Sequence, residues 1–469
     1  MHIHVIQRGE TLWGIAEQYG VDLNQIILLN QFDDPNALVV GEAIVIPERG
    51  WEYVVQPGDQ LWSIAQRFGV TVEELAQENH LTNPELIYVG EMLQLPHFVH
   101  VVQPGETLWT ISDRYGVSME QIVQANQLED SSLISVSQSL IIPNPDRPLT
   151  EVNAYTTRVG EAGSGEVYAL GNYFTYLSPF SYNIREDGSL TQLRETPVLE
   201  AARATQVDPL LVLTNFRNGG FSSDLVAAVL RNPEVQETLI TNLRTTMREK
   251  GYTGLNIDFE YVYPEDRQNY NAFLRRVVSR LRPEGYTVST ALAPKERADQ
   301  PGLLYEAHDY EAHGEIVDFV VLMTYEWGWA GGRPLAIAPI HKVRDVLDYA
   351  VTAIPREKIL MGIPLYGRDW RIPWQEGTIA QTISPKSAVD LARRYGAEIQ
   401  YHETYESPFF RYTDDDGQEH EVWFEDARSM QAKYDTMKAY GLRGASYWVL
   451  GNPFPQNWPV LADNFTIRK

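Results

Sequence analysis

Residues 254–260 read Gly254-Leu255-Asn256-Ile257-Asp258-Phe259-Glu260, and from Asn256 onward every second residue is polar. Successive side chains of a β-strand point to opposite faces, so this alternation predicts a strand with one polar face and one apolar face. The polar face would line the inside of a barrel, and the apolar face would pack against helices. Asp258 and Glu260 would then lie near the carboxyl end of the strand, where barrel enzymes hold their active sites.

Two carboxyl groups this close together cannot both ionise easily. One of them is therefore expected to keep a proton near neutral pH, which is what a general acid needs. The alternative for Asp258 and Glu260 is a structural ion pair, or a core carboxylate whose hydrogen bonds are satisfied.

Residues 150–469 contain eight apolar, β-branched runs that are separated by helical patterns. The runs lie at 152–156, 175–184, 210–216, 254–260, 286–293, 319–325, 359–366 and 444–449. Strands that alternate with helices predict a parallel sheet, and eight of them fit a closed α/β TIM (β/α)8 barrel. Between the last two runs, two alternating segments flank the turn Asp416-Gly417. They predict a β-hairpin within a small α+β insertion at about 371–440.

The composition of the chain excludes several classes of function. Asp and Glu number 63 and Lys and Arg number 38, and the net charge of −25 disfavours nucleic acid and anionic membranes as partners. The chain of 469 residues contains no Cys, so disulfides and cysteine nucleophiles are excluded. No apolar run is long enough for a membrane span, and we expect no classical signal peptide. No HxxxH or HExxH pattern occurs, so we expect neither a metal nor another cofactor.

The first 145 residues contain an internal repeat, in which Gly9-Glu10-Thr11-Leu12-Trp13 returns as Gly58-Asp59-Gln60-Leu61-Trp62 and again as Gly105-Glu106-Thr107-Leu108-Trp109. The copies are 49 and 47 residues apart, and Asn30, Asn79 and Asn126 recur at the same steps. Each copy reads as a strand, a Gly-containing turn, two amphipathic helices and a closing strand. Three βααβ modules are therefore predicted at 2–48, 51–97 and 98–145. A Pro-rich linker at 143–148 leads to the barrel at 150–469.

The three modules resemble the LysM domain, a βααβ fold that binds N-acetylglucosamine polymers such as peptidoglycan and chitin. The resemblance implies a shallow groove between the turn before the first helix and the loop after the second, such as Asn79-His80-Leu81. The residues expected to contact glycan are Gly9, Glu10, Thr11, Asn30, Gly58, Asp59, Gln60, Asn79, Gly105, Glu106, Thr107 and Asn126. The alternative is that these residues only build the fold. We favour that alternative for Leu12 and Trp13.

The strand at 254–260 resembles the D-x-x-D-x-D-x-E signature of glycoside hydrolase family 18. Its last two acids are Asp258 and Glu260, whereas the two earlier positions depart from the signature as Thr253 and Asn256. Further parts of the family pattern lie at later strand ends, as Met323-Thr324-Tyr325, Gly362-Ile363-Pro364-Leu365-Tyr366-Gly367-Arg368 and Tyr447-Trp448.

This resemblance implies a retaining, substrate-assisted hydrolysis, in which the 2-acetamido oxygen of the bound sugar attacks the anomeric carbon. Glu260 would act first as the general acid and then as the general base. Asp258 would hold the acetamido N–H, and Tyr325 would donate a hydrogen bond to the acetamido oxygen. The remaining residues expected to bind substrate are Asn256, Met323, Tyr366 and Trp448, the last as the floor under the sugar. Core packing is the alternative for Met323, Tyr366 and Trp448.

Three LysM modules followed by a family 18 barrel resemble, as a whole chain, the N-acetylglucosaminidases that act on spore cortex peptidoglycan during germination. The resemblance implies a location in the spore coat, the spore cortex or the cell wall. A chitinase is one alternative, because chitin also presents N-acetylglucosamine. A non-catalytic glycan-binding spore coat protein is the other, although such proteins usually lack the acid that is present here as Glu260.

Overall fold

A computed structural model describes residues 1–47, 51–79, 81, 83–128, 134–144 and 147–469. They form two compact units. One contains Met1–Leu149 and Pro455–Thr466, and the other contains Thr150–Phe454 and Ile467–Lys469. Of the predicted features, His80 in the groove of the second module and two linker residues, Pro145 and Asp146, lie outside the described residues.

The first unit contains three modules, each with a strand, two helices and a second strand. Their bounds are His2–Val5, Leu12–Tyr19, Leu23–Asn30 and Ala43–Ile46 in the first; Glu52–Val54, Leu61–Phe68, Val72–Glu78 and Met92–Gln94 in the second; and His97–Val101, Leu108–Tyr115, Met119–Asn126 and Ser139–Pro143 in the third. The two strands of each module pair antiparallel. The predicted βααβ order is therefore confirmed. The unit also contains the helix Asn457–Asn464.

Each module has its own hydrophobic core, because both of its helices turn an apolar stripe towards the strands. In the second module, Leu61 and Ile64 from the first helix pack with Leu75 and Leu93. Gly69 ends that helix in the left-handed conformation, with φ of 72°, and a glycine ends the corresponding helix in the other two modules.

The second unit contains a closed barrel of eight parallel strands. The strands are Leu149–Thr156, Tyr176–Pro179, Asp208–Thr214, Gly254–Asp258, Thr287–Leu292, Phe319–Leu322, Ile359–Pro364 and Gly444–Leu450. Each strand pairs with the next in sequence, and the eighth pairs with the first. The predicted TIM barrel is confirmed.

Several barrel strands end before the apolar runs do. The second run is divided, since Tyr176–Pro179 belongs to the barrel and Tyr182–Asn183 pairs separately with the third strand. The fourth and sixth strands end at Asp258 and Leu322, so Glu260 and Tyr325 lie just beyond them. The alternation of polar and apolar residues extends beyond the ends of the strands. It reflects burial of one face of the chain, and that burial continues past the last hydrogen bond between strands.

Helices cover the outside of the barrel. The principal ones are Glu161–Leu170, Thr196–Ala204, Ser223–Leu230, Pro233–Lys250, Arg267–Leu281, Tyr310–Ile316, Ile340–Ala353 and Ala427–Tyr440. Arg267–Leu281 buries the predicted stripe of Tyr270, Phe273, Leu274, Val277 and Leu281. Within the described ranges, no helix is long and apolar enough to cross a membrane.

A five-stranded antiparallel sheet with one helix lies between the seventh and eighth barrel strands. Its elements are Gly367–Ile372, Gln381–Ile383, Pro385–Tyr395, Gln400–His402, Ser407–Thr413 and Glu419–Trp423. The last two strands form the predicted hairpin. The insertion thus occupies 367–423 in the structure, compared with the expected 371–440. The helix Ala427–Tyr440 belongs to the barrel, because it packs against Ile340–Ala353.

Candidate active site

A cleft of about 640 Å³ opens at the carboxyl ends of the barrel strands. It is lined by Tyr155, Thr157, Phe180, Phe216, Phe221, Asp258, Glu260, Tyr261, Ala291, Pro294, Leu304, Tyr305, Met323, Tyr325, Glu326, Trp327, Trp329 and Trp448. The fold therefore brings together five of the seven residues predicted for this site. They come from the fourth, sixth and eighth strands or the loops just after them.

Asp258 and Glu260 lie in the cleft, with Asp258 only 6% exposed. Burial raises the pKa of Asp258. Burial also raises the pKa of Glu260 well above its usual value, and the negative charges of Asp258 and Glu326 raise it further. In the described part of the chain, Asp258 Oδ1 is buried without a hydrogen-bond partner. A buried acceptor of this kind suits a donor supplied by a bound ligand.

The raised pKa values predict a measurable effect on stability. In the unfolded chain these carboxyls titrate near pH 4, so between that pH and the raised values the folded state holds more protons. The stability of the fold should therefore fall as the pH rises through this window. A Glu260→Gln variant, which cannot ionise at this position, should unfold a few degrees above the wild type at pH 8, with a smaller difference at pH 4. Thermal unfolding at the two pH values tests this, and an equal difference at both would contradict it.

The backbone of Glu260 is held by side chains, because the strand has already ended. The last ladder pairs of the fourth strand are Thr214 with Asp258 on one side and Ile257 with Thr290 on the other. Beyond them, Asn215 Oδ1 accepts a hydrogen bond from the Glu260 N–H at 3.0 Å. The Asn215 amide donates to the Glu260 carbonyl at 2.8 Å.

His308 holds the same Phe259–Glu260 peptide group from the opposite side. Its Nε2–H donates to the Phe259 carbonyl at 2.9 Å, and its Nδ1 accepts from the Ala293 N–H at 2.8 Å. Burial lowers the pKa of His308 to about 4, so the ring is neutral near neutral pH, with its proton on Nε2. Asn215 and His308 therefore replace the missing ladder bonds and fix the catalytic loop.

We expect an Asn215→Ala variant to lower kcat by up to about 100-fold while KM changes little, because small displacements of a catalytic group are costly. Asn215 is a positioning residue, since two of its side-chain hydrogen bonds go to the Glu260 backbone and a third goes to the Ser222 carbonyl at 3.1 Å. Steady-state kinetics on a soluble glycan fragment measures the two constants separately. A matched control is Asn269→Ala, which removes one side-chain hydrogen bond to Asp266. An unchanged kcat in Asn215→Ala would refute the positioning role.

Asn256 lies below the cleft and is not among its lining residues. Its Oδ1 accepts from the Tyr155 hydroxyl at 2.8 Å, and its amide donates to Ser289 Oγ at 3.0 Å. Tyr155 in turn packs edge-on against Trp448, with ring centroids 5.5 Å apart. In the structure Asn256 thus supports a cleft wall, and its contact with substrate stays a prediction.

Trp448 and Tyr325 lie where the sequence places them. Trp448 lines the cleft and packs edge-on against Phe180, with ring centroids 4.9 Å apart. Burial raises the pKa of Tyr325 well above its usual value, and the nearby Tyr155 raises it further. The Tyr325 hydroxyl thus stays protonated and can donate a hydrogen bond into the cleft.

Glu326 is a third carboxyl in the cleft that the sequence reading missed. The Tyr366 hydroxyl donates to Glu326 Oε1, and an Arg368 guanidinium nitrogen lies 2.8 Å from the same oxygen. Tyr366 is itself outside the cleft lining and its hydroxyl positions Glu326, and its expected contact with substrate stays a prediction. Its position directly after the predicted site residue Tyr325 could have indicated that Glu326 lies in the cleft.

Aromatic residues that the sequence reading did not single out form much of the cleft wall. Phe216 and Phe221 come from a small hairpin after the third strand, with ring centroids 5.4 Å apart. Trp329 lies at the cleft with 56% of its surface exposed, and Tyr261 with 39%. Exposed aromatic faces of this kind suit the flat apolar faces of sugar rings.

In the modules, the acidic residue of each predicted binding turn closes its own turn. Glu10 accepts from the Gln7 N–H at 2.6 Å and Glu106 from the Gln103 N–H at 2.8 Å. The hydrogen bond from Gln103 is the largest cause that lowers the pKa of Glu106 to about 2. In the second module, Asp59 makes the corresponding bond to Gln56 at 2.7 Å.

The repeated asparagines join the second helix of each module to its closing strand. The Asn30 amide donates to the carbonyls of Ile26 and Val45, and its Oδ1 accepts from the Val45 N–H. Asn79 and Asn126 make the same three bonds in their modules.

The remaining predicted turn residues also have roles within their modules. Thr11 and Thr107 cap first helices, with their hydroxyls accepting from the N–H groups of Gly14 and Thr110. Gln60 is the capping residue of the corresponding helix in the second module. The turn glycines adopt positive φ angles of 86–89°, at Gly9, Gly58 and Gly105. Glycan binding by these turns stays a prediction.

The tryptophan next to each turn is more exposed than expected. Leu12 is buried, as predicted, at 3% exposure, but Trp13 is 63% exposed. Trp62 and Trp109 are each 62% exposed at the corresponding positions. Trp13 was expected only to build the fold, and its exposure shows that it does not pack in the core, because on a helix the residue after an inward-facing one is turned by about 100° towards solvent.

The barrel, its buried acid pair and the three preceding modules define a glycoside hydrolase with attached glycan-binding modules. The family model for glycosyl hydrolases family 18 matches residues 198–452, and the LysM domain model matches 4–47, 53–96 and 100–143. The chain belongs to glycosyl hydrolase family 18.

Within this family the chain is similar to cortical fragment-lytic enzymes. It is 45% identical to the one from Bacillus subtilis (strain 168), over 100% of this chain and 99% of that protein. The crystal structure of the Bacillus megaterium QM B1551 spore cortex-lytic enzyme SleL covers 100% of this chain and 98% of its own, with a TM-score of 0.78 at 37% identity. A chitinase structure from Chromobacterium violaceum ATCC 12472 covers 67% of this chain and 98% of its own, with a TM-score of 0.63 at 27% identity.

Proposed function

We propose that the protein hydrolyses spore cortex peptidoglycan as an N-acetylglucosaminidase that cleaves β-1,4 bonds after N-acetylglucosamine with retention. The observation that carries this proposal is the buried, unpartnered Asp258 Oδ1 beside Glu260, whose pKa is raised well above its usual value. The first group is ready to accept a hydrogen bond from an acetamido N–H. The second holds a proton that it can donate.

In the first step, Glu260 donates its proton to the glycosidic oxygen as the bond from that oxygen to the anomeric carbon breaks. The acetamido oxygen of the same sugar attacks the anomeric carbon from the opposite face, and a cyclic oxazolinium ion forms. Asp258 accepts the hydrogen bond of the acetamido N–H and offsets the positive charge of the ring. Tyr325 donates a hydrogen bond to the acetamido oxygen and so orients it for attack.

In the second step, water attacks the anomeric carbon and the bond to the acetamido oxygen breaks. Glu260, now ionised, takes the proton from this water and returns to its starting state. The two inversions together retain the configuration at the anomeric carbon. This mechanism needs one proton donor and no protein nucleophile. The cleft agrees with this mechanism, because its third carboxyl, Glu326, is held by Tyr366 and Arg368 and is not needed as a nucleophile.

The choice of cortex peptidoglycan is supported by the relatives. The similar enzymes reported above that cover 100% of this chain are called cortical fragment-lytic and spore cortex-lytic, whereas the chitinase covers 67% of it. A place of action in the spore cortex or cell wall follows from this substrate. A chitinase is the second candidate, supported by the likeness of the barrel to a chitinase structure.

Product analysis tests the proposal. The purified protein and its Glu260→Gln variant are each incubated with spore cortex fragments and with chitin oligomers, and the products are identified by mass spectrometry. We expect new reducing N-acetylglucosamine ends from cortex with the wild type, and binding without cleavage with the variant. Cleavage of chitin alone would favour the chitinase. Binding without cleavage of either polymer by the wild type would favour a glycan-binding protein without catalysis.

A further inference from the structure

Each module exposes one tryptophan at the second position of its first helix. Trp13, Trp62 and Trp109 are 62–63% exposed, while the leucine before each of them is buried. The position that follows the tryptophan varies among the modules, as Gly14, Ser63 and Thr110. The tryptophan is thus kept in all three modules, although the residue that follows it is different in each.

Packing within the modules does not explain this recurrence. An indole left mostly in water gains little from the hydrophobic effect, and a polar residue would serve an exposed helix position equally well. A single exposed apolar residue needs no explanation, but the same one at three equivalent positions indicates a shared contact surface. The polar side chains expected to bind glycan, in contrast, make hydrogen bonds within their own modules.

Three equivalent sites favour a partner that is itself repetitive. Residues 1–150 contain 20 Asp and Glu, 5 Arg and no Lys, so a polyanion such as nucleic acid is disfavoured. A glycan strand repeats along its length and presents flat C–H faces, which pack well against an indole ring. We propose that Trp13, Trp62 and Trp109 are stacking platforms for the sugar rings of the glycan substrate. They would supply most of the affinity of the modules for that polymer.

This inference rests on the proposed function, since the polymer is the same. Each platform alone would bind one sugar weakly, but three platforms on one chain raise the overall affinity by avidity when the polymer reaches several of them. Loss of one indole should therefore weaken binding modestly, and loss of all three should weaken it far more.

The test uses the full chain with Glu260→Gln, so that the polymer is not degraded. Binding to insoluble spore cortex peptidoglycan is measured by co-sedimentation across a range of polymer concentrations. We expect the triple variant Trp13→Ala, Trp62→Ala, Trp109→Ala to bind about 100-fold more weakly, and each single variant only a fewfold more weakly.

A matched control removes three exposed side chains one helical turn further on, as Glu17→Ala, Gln66→Ala and Asp113→Ala. These should leave binding within about twofold of the parent, because surface substitutions of this kind rarely perturb a fold. Equal binding by the tryptophan variant and its parent would overturn the inference. An equal loss in the control set would also overturn it.

A second measurement separates this inference from the proposed function. In the chain with an intact Glu260, the triple tryptophan variant should cleave short soluble cortex fragments at the wild-type rate, because the barrel cleft is unchanged. If the wild type cleaves no cortex fragment and the indoles are still required for sedimentation, the proposed function fails and the platforms stand. If short fragments are cleaved normally and sedimentation does not depend on the indoles, the platforms fail and the proposed function stands.

Discussion

A Glu260→Gln variant should cleave cortex fragments at least about 1,000-fold more slowly than the wild type while binding them normally. General acid–base catalysis contributes about 10²–10⁴-fold, and Glu260 would serve both steps, first as the acid and then as the base. The amide has nearly the same shape as the protonated carboxyl, so the cleft should stay intact. Rates from product analysis and affinity from equilibrium binding test the two halves of this expectation separately.

A matched control is Glu166→Gln. Glu166 is another carboxyl whose pKa is raised by burial, and its Oε1 accepts from the Gly451 N–H at 2.8 Å outside the cleft lining. An amide oxygen can accept the same bond, so this variant should retain wild-type rates. If Glu260→Gln kept more than about a tenth of the wild-type kcat, the assignment of Glu260 as the proton donor would be wrong.

An Asp258→Asn variant should lower kcat by about 100- to 1,000-fold, because a neutral amide cannot offset the positive charge of the oxazolinium ring. It should also shift the pH dependence. Burial and then the charge of Asp258 raise the pKa of Glu260, so loss of that charge lowers it. Glu260 then loses its proton at lower pH, and the alkaline limb of the kcat/KM profile should move towards acid.

The pH–rate profiles of the wild type and Asp258→Asn test this coupling on one soluble substrate. An alkaline limb that stays in place, or moves towards alkaline pH, would mean that Asp258 does not raise the pKa of Glu260. A rate within about tenfold of the wild type would contradict its charge-stabilising role.

The sequence predicts the acid pair well, because both residues lie on one alternating run. Asp258 and Glu260 share a face, and that face is fixed by the apolar residues between them. The residues that hold Glu260 are harder to predict. Asn215 and His308 are 45 and 48 residues from Glu260 in sequence. They reach the Phe259–Glu260 peptide group because they follow the third and fifth strands, which pair with the fourth on its two sides.

The cleft wall illustrates the same limit. Glu326 and Trp329 lie on a loop after the sixth strand, where no periodic pattern assigns a direction to a side chain. Tyr366 matches the family pattern in sequence and Asn256 departs from it, but the polar groups of both bind within the protein, to Glu326 and Tyr155 respectively. A motif gives the residue type at a position, and the packing around it decides which atoms reach the substrate.

The modules show where the helical pattern alone was sufficient. Their fold follows from repeated caps, glycines and apolar stripes, and the inward position of Leu12 already implies that Trp13 faces solvent. The bonds of Asn30 to Ile26 and Val45 are different, because they depend on how the closing strand returns to the second helix.

The central claim is that the substrate's own acetamido group is the nucleophile and that Glu260 alone handles the protons. The most direct measurement is proton NMR of the reducing end released in the first minutes of cleavage of a β-linked cortex fragment, before the anomers equilibrate. We predict that the β-anomer appears first, because two inversions retain the configuration. Appearance of the α-anomer first would show a single inversion by water, and would contradict the substrate-assisted mechanism.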